Sequence, residues 1–356
     1  MKKRPSVVTP RWSLLFPILI DRFRKLHKLP KGPEEHLQTR EFRALIDDIT
    51  AYLKKEELPE ARQVAAYLLH EWPLCYAQGI SLLRELPKSP ARVLELGHGP
   101  FALAALEYGA SDVWAVSDSI PRLRESAQVA GQFGYSLTCR SLQDRYESPF
   151  DLIIIPDASH HHISMVRSLL NQLTDQGHLL LVASSLPQEN HAFLALRDLC
   201  AKEHLHIRAP CLWKGNCPAL QNNSYCYAQR KLEKPRMMQE IHKALSLHQQ
   251  SLKMSYLLLS KQPIELPDSE TWYRIVSPPV STYKGERLFL CGTKGSATLG
   301  SSLTEHTKET KAFSFLQRGD VVSVQNTEEL DRDFLLTKES TLRLIAPLDK
   351  PLPVKP

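Results

Sequence analysis

Three cysteines crowd into one short stretch, Cys211-x5-Cys217-x8-Cys226, and a fourth, Cys291, closes a run of alternating residues further along. Thiolates are soft ligands that select zinc, copper(I) or iron–sulfur clusters, and four of them complete either a tetrahedral zinc site or a cubane. The stretch between Cys211 and Cys226 has few apolar side chains to bury, so a bound metal would supply its folding energy. Zinc knuckles usually show C-x2-C spacing, which is missing here, but spacing alone leaves zinc and cluster both open. Unrelated buried thiols are the bland alternative. Cys75, Cys139 and Cys200 fall on expected core elements and read as packing. With no export signal evident, the seven thiols are expected to be reduced, which favours metal over disulfide.

A second constellation is Val93-Leu94-Glu95-Leu96-Gly97-His98-Gly99-Pro100, an apolar strand running through a glycine turn into a helix. Sheets of the α/β class bind nucleotide-like ligands at this end of their strands, where glycines let backbone approach the ligand. For S-adenosylmethionine such a turn would cradle the amino-acid end. The expected cofactor contacts are Glu95, Gly97 and Gly99, then Asp118 after the second strand for the ribose hydroxyls and Asp144 after the third for the adenine amino group. For both aspartates the competing reading is a helix cap or loop acid. Asp157 and His160-His161-His162 follow the fourth strand. Adjacent side chains do not share one face, so these histidines read as solvent-facing loop residues.

The elements that must position these groups follow from periodicity. Residues 1–88 read as a helical region, with apolar residues at helical spacing over Glu35–Lys55 and Glu60–Leu86, closed by Lys88-Ser89-Pro90. Residues 89–262 alternate strand and helix, the strands being Arg92–Leu96, Val113–Val116, Leu137–Arg140, Asp151–Ile155 and Gly177–Val182. This pattern implies a parallel sheet covered on both faces. A cysteine-rich insertion lies at about 209–235, a helix is expected over Pro235–Leu252 and a strand over Met254–Ser260. Residues 263–346 show short alternating runs punctuated by glycine, a small β-rich unit, and 347–356 form a proline-rich tail. At 356 residues, 24% charged and net +6, the chain suits a polyanionic partner such as RNA. No membrane span is expected, nor a DNA partner; a monomer is. The basic N-terminus followed by apolar Trp12 to Ile20 runs directly into Asp21-Arg22-Phe23-Arg24-Lys25 and reads as an amphipathic helix. A cytoplasmic location is therefore expected, with the mitochondrial matrix as the alternative.

The run Ala209-Pro210-Cys211, Asn216-Cys217-Pro218 and Tyr225-Cys226-Tyr227-Ala228-Gln229-Arg230 resembles the methyltransferase-like assembly factors of the mitochondrial small ribosomal subunit and their bacterial relatives. Supporting pieces stand in the family's order, among them Ala65-Ala66-Tyr67-Leu68, the glycine turn, Ser255-Tyr256-Leu257-Leu258, Trp272-Tyr273-Arg274-Ile275, Leu290-Cys291 and Arg318-Gly319-Asp320. The resemblance implies a Rossmann-like S-adenosylmethionine methyltransferase fold, binding to small-subunit rRNA during assembly or translation, and a [4Fe–4S] cluster on Cys211, Cys217, Cys226 and Cys291. Departures touch catalysis more than fold. Phe101 replaces the turn's third glycine, where its bulk would crowd the cofactor, Asp118 stands one residue late, and Ala183-Ser184-Ser185 replaces Glu-Pro-Gly. Lys231, Lys234 and Arg236, beside the cysteine loop, are expected to meet rRNA phosphates. An active S-adenosylmethionine-dependent RNA methyltransferase and a zinc-stabilised RNA-binding protein are the alternative readings. No catalytic residue can be named.

Overall fold

The computed structural model describes residues 10–144, 149–263, 265–266, 271–283, 285–301, 303, 305–330 and 333–353. The chain forms two compact units: Met1–Leu83, Ser89–Glu147 and Arg230–Leu252 in the first, and Arg84–Lys88, Ser148–Gln229 and Lys253–Pro356 in the second.

The first unit opens with α1 (Trp12–Leu26), α2 (Thr39–Leu53), α3 (Glu60–His70) and α4 (Trp72–Leu82). The amphipathic expectation for α1 holds: Leu15, Phe16, Leu19, Ile20 and Phe23 are buried. Gln38 and Glu41 form a capping box that starts α2. Then come β1 (Arg92–Leu96), α5 (Pro100–Glu107), β2 (Asp112–Ser117), α6 (Ile120–Gln132) and β3 (Thr138–Ser141). β1 pairs with β2 and β2 with β3, both parallel. Proline within the first two positions of α5 and α6 fixes φ where no backbone donor is needed.

The second unit continues the alternation with β4 (Phe150–Ile155), α7 (Ile163–Leu170), β5 (Leu173–Ala183), α8 (Pro187–Lys202), β6 (His206–Ala209), the short α9 (Pro218–Gln221) and β7 (Ala228–Lys231). The chain returns to the first unit for α10 (Arg236–Ala244) and comes back through β8 (Ser251–Ser260). β4 and β5 are parallel, and β8 runs antiparallel to β5 on one side and β6 on the other. The helix expected over Pro235–Leu252 is shorter than its pattern. Ser246 takes a positive φ of 54° and β8 begins at Ser251.

Beyond residue 271 lie β9 (Trp272–Ile275), β10 (Val280–Thr282), β11 (Gly285–Gly292), β12 (Gly295–Ser301), β13 (Val321–Gln325), β14 (Glu328–Leu330), β15 (Asp333–Leu336) and β16 (Thr341–Ala346). They make one sheet in the order β14-β15-β12-β11-β9-β13-β16, with β10 on β11. Its core includes Tyr273, Ile275, Leu288, Leu290, Leu299 and Val322. The fold class is thus α/β, with parallel strands alternating with helices, N-terminal helices and a β-rich C-terminal part.

Candidate functional site

The glycine turn is held from beneath by Glu95. Its side chain is fully buried, and its carboxylate accepts hydrogen bonds from Gly99 N at 2.8 Å and Ala102 N at 2.6 Å. Glu95 therefore fastens the turn to the start of α5, where unpaired N–H groups favour an anion. Burial pushes its carboxyl up to about 7 against the opposing bonds from Gly99, Ala102 and Phe101. Gly99 has φ +105°, and a Cβ there would lie 2.6 Å from the Ser126 Cβ on α6. Ser126 Oγ in turn accepts from Trp72 Nε1 at 2.9 Å and donates to the His98 carbonyl. The His98 ring meets Tyr67 edge-on at 5.4 Å, and the Arg122 guanidinium lies 4.6 Å from the Tyr67 ring. Burial first, and Arg122 second, hold the His98 imidazole down to about 4, so it is neutral at physiological pH.

Asp118 is exposed just after β2 and accepts from Ser117 Oγ at 3.2 Å. Asp144 closes a local turn by accepting from Ser141 N at 2.8 Å. Glu95, Gly97 and Gly99 thus come together in one turn, with Glu95 spent on that turn rather than presented to a ligand. The Phe101 ring is fully buried against α4, where a Cβ on Gly79 would lie 3.1 Å from Phe101 Cδ1.

The four cysteines of the expected metal site all lie in the second unit. Helix α8 presents three polar side chains toward their loop. Asn190, fully buried, donates to the Cys226 carbonyl at 2.8 Å and to Ser255 Oγ at 2.7 Å. Asp198 accepts from Cys217 N at 2.9 and 3.0 Å through its two oxygens. Arg197, 1% exposed, donates to the carbonyls of Trp213 and Gly215 and pairs with Asp198 at 2.8 Å. Asn190 and Arg197, two turns apart, lie on one face of α8, and Asp198 flanks it. Sequence reasoning found the helix but not this role.

Cys211 follows a cis Ala209–Pro210 peptide at the end of β6, and Cys217 precedes the first turn of α9. Cys226 lies just before β7, and Cys291 sits on β11 opposite Arg274 of β9. Burial raises the Cys226 thiol well above its ordinary value; Cys211, Cys217 and Cys291 add to that rise, and Arg318 opposes it. Cys291 is pushed up to about 12, first by burial and then by Cys211 and Cys217, with Arg197 and Arg274 opposing. Burial raises Cys217 too, against backbone N–H groups of Leu220 and Ala219. The four sulfurs thus feel one another's charge. Among the described residues no group of three or more His, Cys, Asp and Glu side chains is set to hold a single metal ion. Cys75 and Cys139 are half-buried and Cys200 is buried.

His160 and His162 are exposed in the loop before α7, and His161 is half-buried. Lys231 pairs with Glu233 at 3.3 Å, Arg236 with Glu240 at 2.7 Å, and Lys234 Nζ lies 3.1 Å from His242 Nδ1. The two carboxylate pairs lie at the surface, where such ion pairs are weak. No helix among the described residues is long and apolar enough to cross a membrane.

A family model described as mitochondrial small ribosomal subunit Rsm22 matches residues 61–318. No curated protein matches the chain. Among solved structures, a ribosomal protein L11 methylase from Lactobacillus delbrueckii subsp. bulgaricus is 16% identical, over 53% of this chain and 77% of that one, with a TM-score of 0.31. A protein of Pyrococcus horikoshii described as an RNA methyltransferase is 14% identical, over 63% of this chain and 97% of that one, with a TM-score of 0.34. At these scores the likeness says nothing about activity.

Proposed function

Because the chain belongs to the Rsm22 family of the mitochondrial small ribosomal subunit, we propose that it is an assembly or translation factor that binds the small subunit and its rRNA and carries a [4Fe–4S] cluster on Cys211, Cys217, Cys226 and Cys291. The observation that carries the cluster is the convergence of four thiols from separate segments, each electrostatically coupled to the others. The residues fit the group. The donors are all soft thiols, Cys217 buried and the other three half-buried, with arginines beside them that offset the negative charge of an iron–sulfur centre. When bound, such a cluster supplies a link between the four segments and a one-electron redox centre.

The chain's own residues do the rest. Asp198 fixes the Cys217 backbone, Asn190 fixes that of Cys226, and β11 carries Cys291. Lys231, Lys234 and Arg236 would meet rRNA phosphates, giving salt-dependent binding. The family's description favours the mitochondrial alternative over the cytoplasmic expectation.

A second reading, S-adenosylmethionine binding, is supported by the preserved strand–turn–helix at Gly97–Gly99 and by exposed Asp118 after β2. Glu95 would act there by holding the turn. Methyl transfer itself has no assigned acceptor-positioning group.

The test is anaerobic purification with absorption spectroscopy and iron and zinc analysis, beside Cys217→Ser, followed by small-subunit and rRNA binding at low and high salt. Iron with a broad band near about 400 nm, lost in the variant, and salt-sensitive rRNA binding are expected. Zinc in place of iron would turn the site into the zinc-stabilised alternative, and failure to bind small subunits or rRNA at low salt would sink the assembly-factor reading. Calorimetry with S-adenosylmethionine decides the second reading.

A further inference from the structure

Helix α8 pins the loop between Cys217 and Cys226 at three points. Asp198 holds the Cys217 N–H and Asn190 the Cys226 carbonyl. The His191 ring stacks on that of Tyr225 at 5.2 Å and 21°, with its Nε2 3.2 Å from the Ser224 carbonyl. The loop is also braced from within. The N–H groups of Gln221, Asn222, Asn223 and Ser224 donate to the carbonyls of Cys217, Pro218, Leu220 and Ala219 at 3.0, 3.1, 3.1 and 2.8 Å. Asn223 takes a left-handed φ of 49°, which asparagine tolerates better than most residues. Yet residues 221–225 are all exposed, Tyr225 by 48%. Among the described residues, the side-chain amides of Gln221, Asn222 and Asn223 make no hydrogen bond to the protein. A backbone fixed on a helix that turns its side chains to solvent presents them instead of packing them.

The presented groups share one character. Three carboxamides and a hydroxyl each donate and accept, Tyr225 adds a ring backed by His191, and none of the five residues is charged. A phosphate finds no cation on such a tip. A nucleobase finds a match for both its parts: its flat face stacks on a tyrosine, and its edge of donors and acceptors bonds to carboxamides. The imidazole behind Tyr225 holds the ring in place, so little side-chain freedom is lost when a base lands on it. A protein partner would call for a desolvated apolar anchor, whereas four of these five side chains are polar and each would have to be satisfied on burial. Bases within a duplex keep their faces stacked on one another, so the occupant that fits is single-stranded.

We propose that residues 221–225 form a base-reading tip that takes unpaired nucleotides of RNA, one of them stacked on Tyr225 and its neighbours held by the carboxamides. The tip rests on the rRNA reading above and divides the work of binding. Lys231, Lys234 and Arg236 meet phosphates, which fix position and carry no sequence, and the tip supplies preference among bases.

The experiment is fluorescence anisotropy of the full chain, purified anaerobically, on labelled oligo-A, oligo-U and oligo-C RNAs of about 12 nucleotides and on an RNA duplex of that length, across a salt series. The chains are wild type, Tyr225→Ala, Tyr225→Phe and the double variant Gln221→Ala with Asn222→Ala; Asn223 is left alone because of its left-handed φ. Wild type is expected to prefer one oligomer, and the double variant to level the three. Tyr225→Ala is expected to weaken single-strand binding roughly tenfold while duplex affinity and the salt slope stay put, and Tyr225→Phe to keep most of the affinity. Single-strand affinity at the wild-type level in Tyr225→Ala overturns the tip and leaves rRNA binding standing. An equal loss on duplex, an equal loss in Tyr225→Phe, or equal affinities for the three oligomers in wild type overturns it as well. Should Tyr225→Ala keep its oligomer affinity yet fail to co-sediment with small subunits, the surface serves a protein and the tip falls. A wild type that binds no RNA at low salt overturns the rRNA reading and the tip with it. Should Tyr225→Ala fail to fold, Tyr225→Leu, which fills the space without a π face, takes its place with the same expected loss.

Discussion

Burial holds the Glu95 carboxyl at about 7, well above its ordinary 4.5. Between those values the folded chain keeps a proton that the unfolded chain has released. Stability therefore declines as pH rises through that window and levels off above it. Glu95→Gln removes this slope, but it turns an amide N–H toward one of two backbone donors, at a loss of about 1–3 kcal/mol. Thermal melts at pH 5 and pH 8 should show the gap between wild type and variant narrowing at the higher pH; a gap that ignores pH would refute the assignment. Gly99→Ala meets a different obstacle, a φ of +105° and a Cβ 2.6 Å from Ser126 Cβ. It is expected to lose about 1–3 kcal/mol in denaturant unfolding, and a melt like wild type's would show that α6 simply moves aside.

At the scale of elements, α8 carries the most consequence for the least sequence signal. Asn190→Ala leaves the Cys226 carbonyl and Ser255 without their donor, so a drop of about 1–3 kcal/mol and faster iron release to a chelator are expected. Release at the wild-type rate would detach α8 from the site. The strand–helix alternation made a helix legible beyond the strand at Gly177–Val182 but left Asn190, Arg197 and Asp198 looking like ordinary polar positions. Their role depends on which face the loop at 211–226 covers, and that is a tertiary fact. The strand–helix alternation was likewise legible, because buried strands are apolar runs and helices repeat at 3.6 residues. The end of α10 was not. An amphipathic pattern persists past Ala244, whereas the turn at Ser246 is local geometry without a glycine to mark it. The strands β10, β14 and β15 are three or four residues long, too short for alternation to show. Of the site itself, the cysteines were visible as a set, whereas the arginines opposite them come from residues 197, 274 and 318 and share no local spacing.

For the whole molecule, removal of the proposed cluster is expected to fall unevenly. Hydrogen exchange after oxidative loss of iron should speed up at 211–229 and along β9 and β11, while β1, β2 and β3 in the first unit keep their protection. Uniform loss would show that the fold depends on the site throughout. With a net charge of +6, the proposed affinity for small-subunit rRNA is expected to fall with salt. Lys231→Ala and Arg236→Ala are each expected to flatten the slope of log affinity against log salt by about 1, and an unchanged slope removes that residue from the phosphate contacts.

Cys291 follows Cys226 by 65 residues (291 − 226). A ribosome making this chain at roughly 5–20 residues per second exposes the first three thiols several seconds before the fourth is joined on. The proposed site is thus incomplete throughout that interval, and metal captured early would rest on three ligands. Iron that stays must wait for β11, which makes loading an event of the finished chain and turns the bound cluster into a record that synthesis reached the C-terminal sheet.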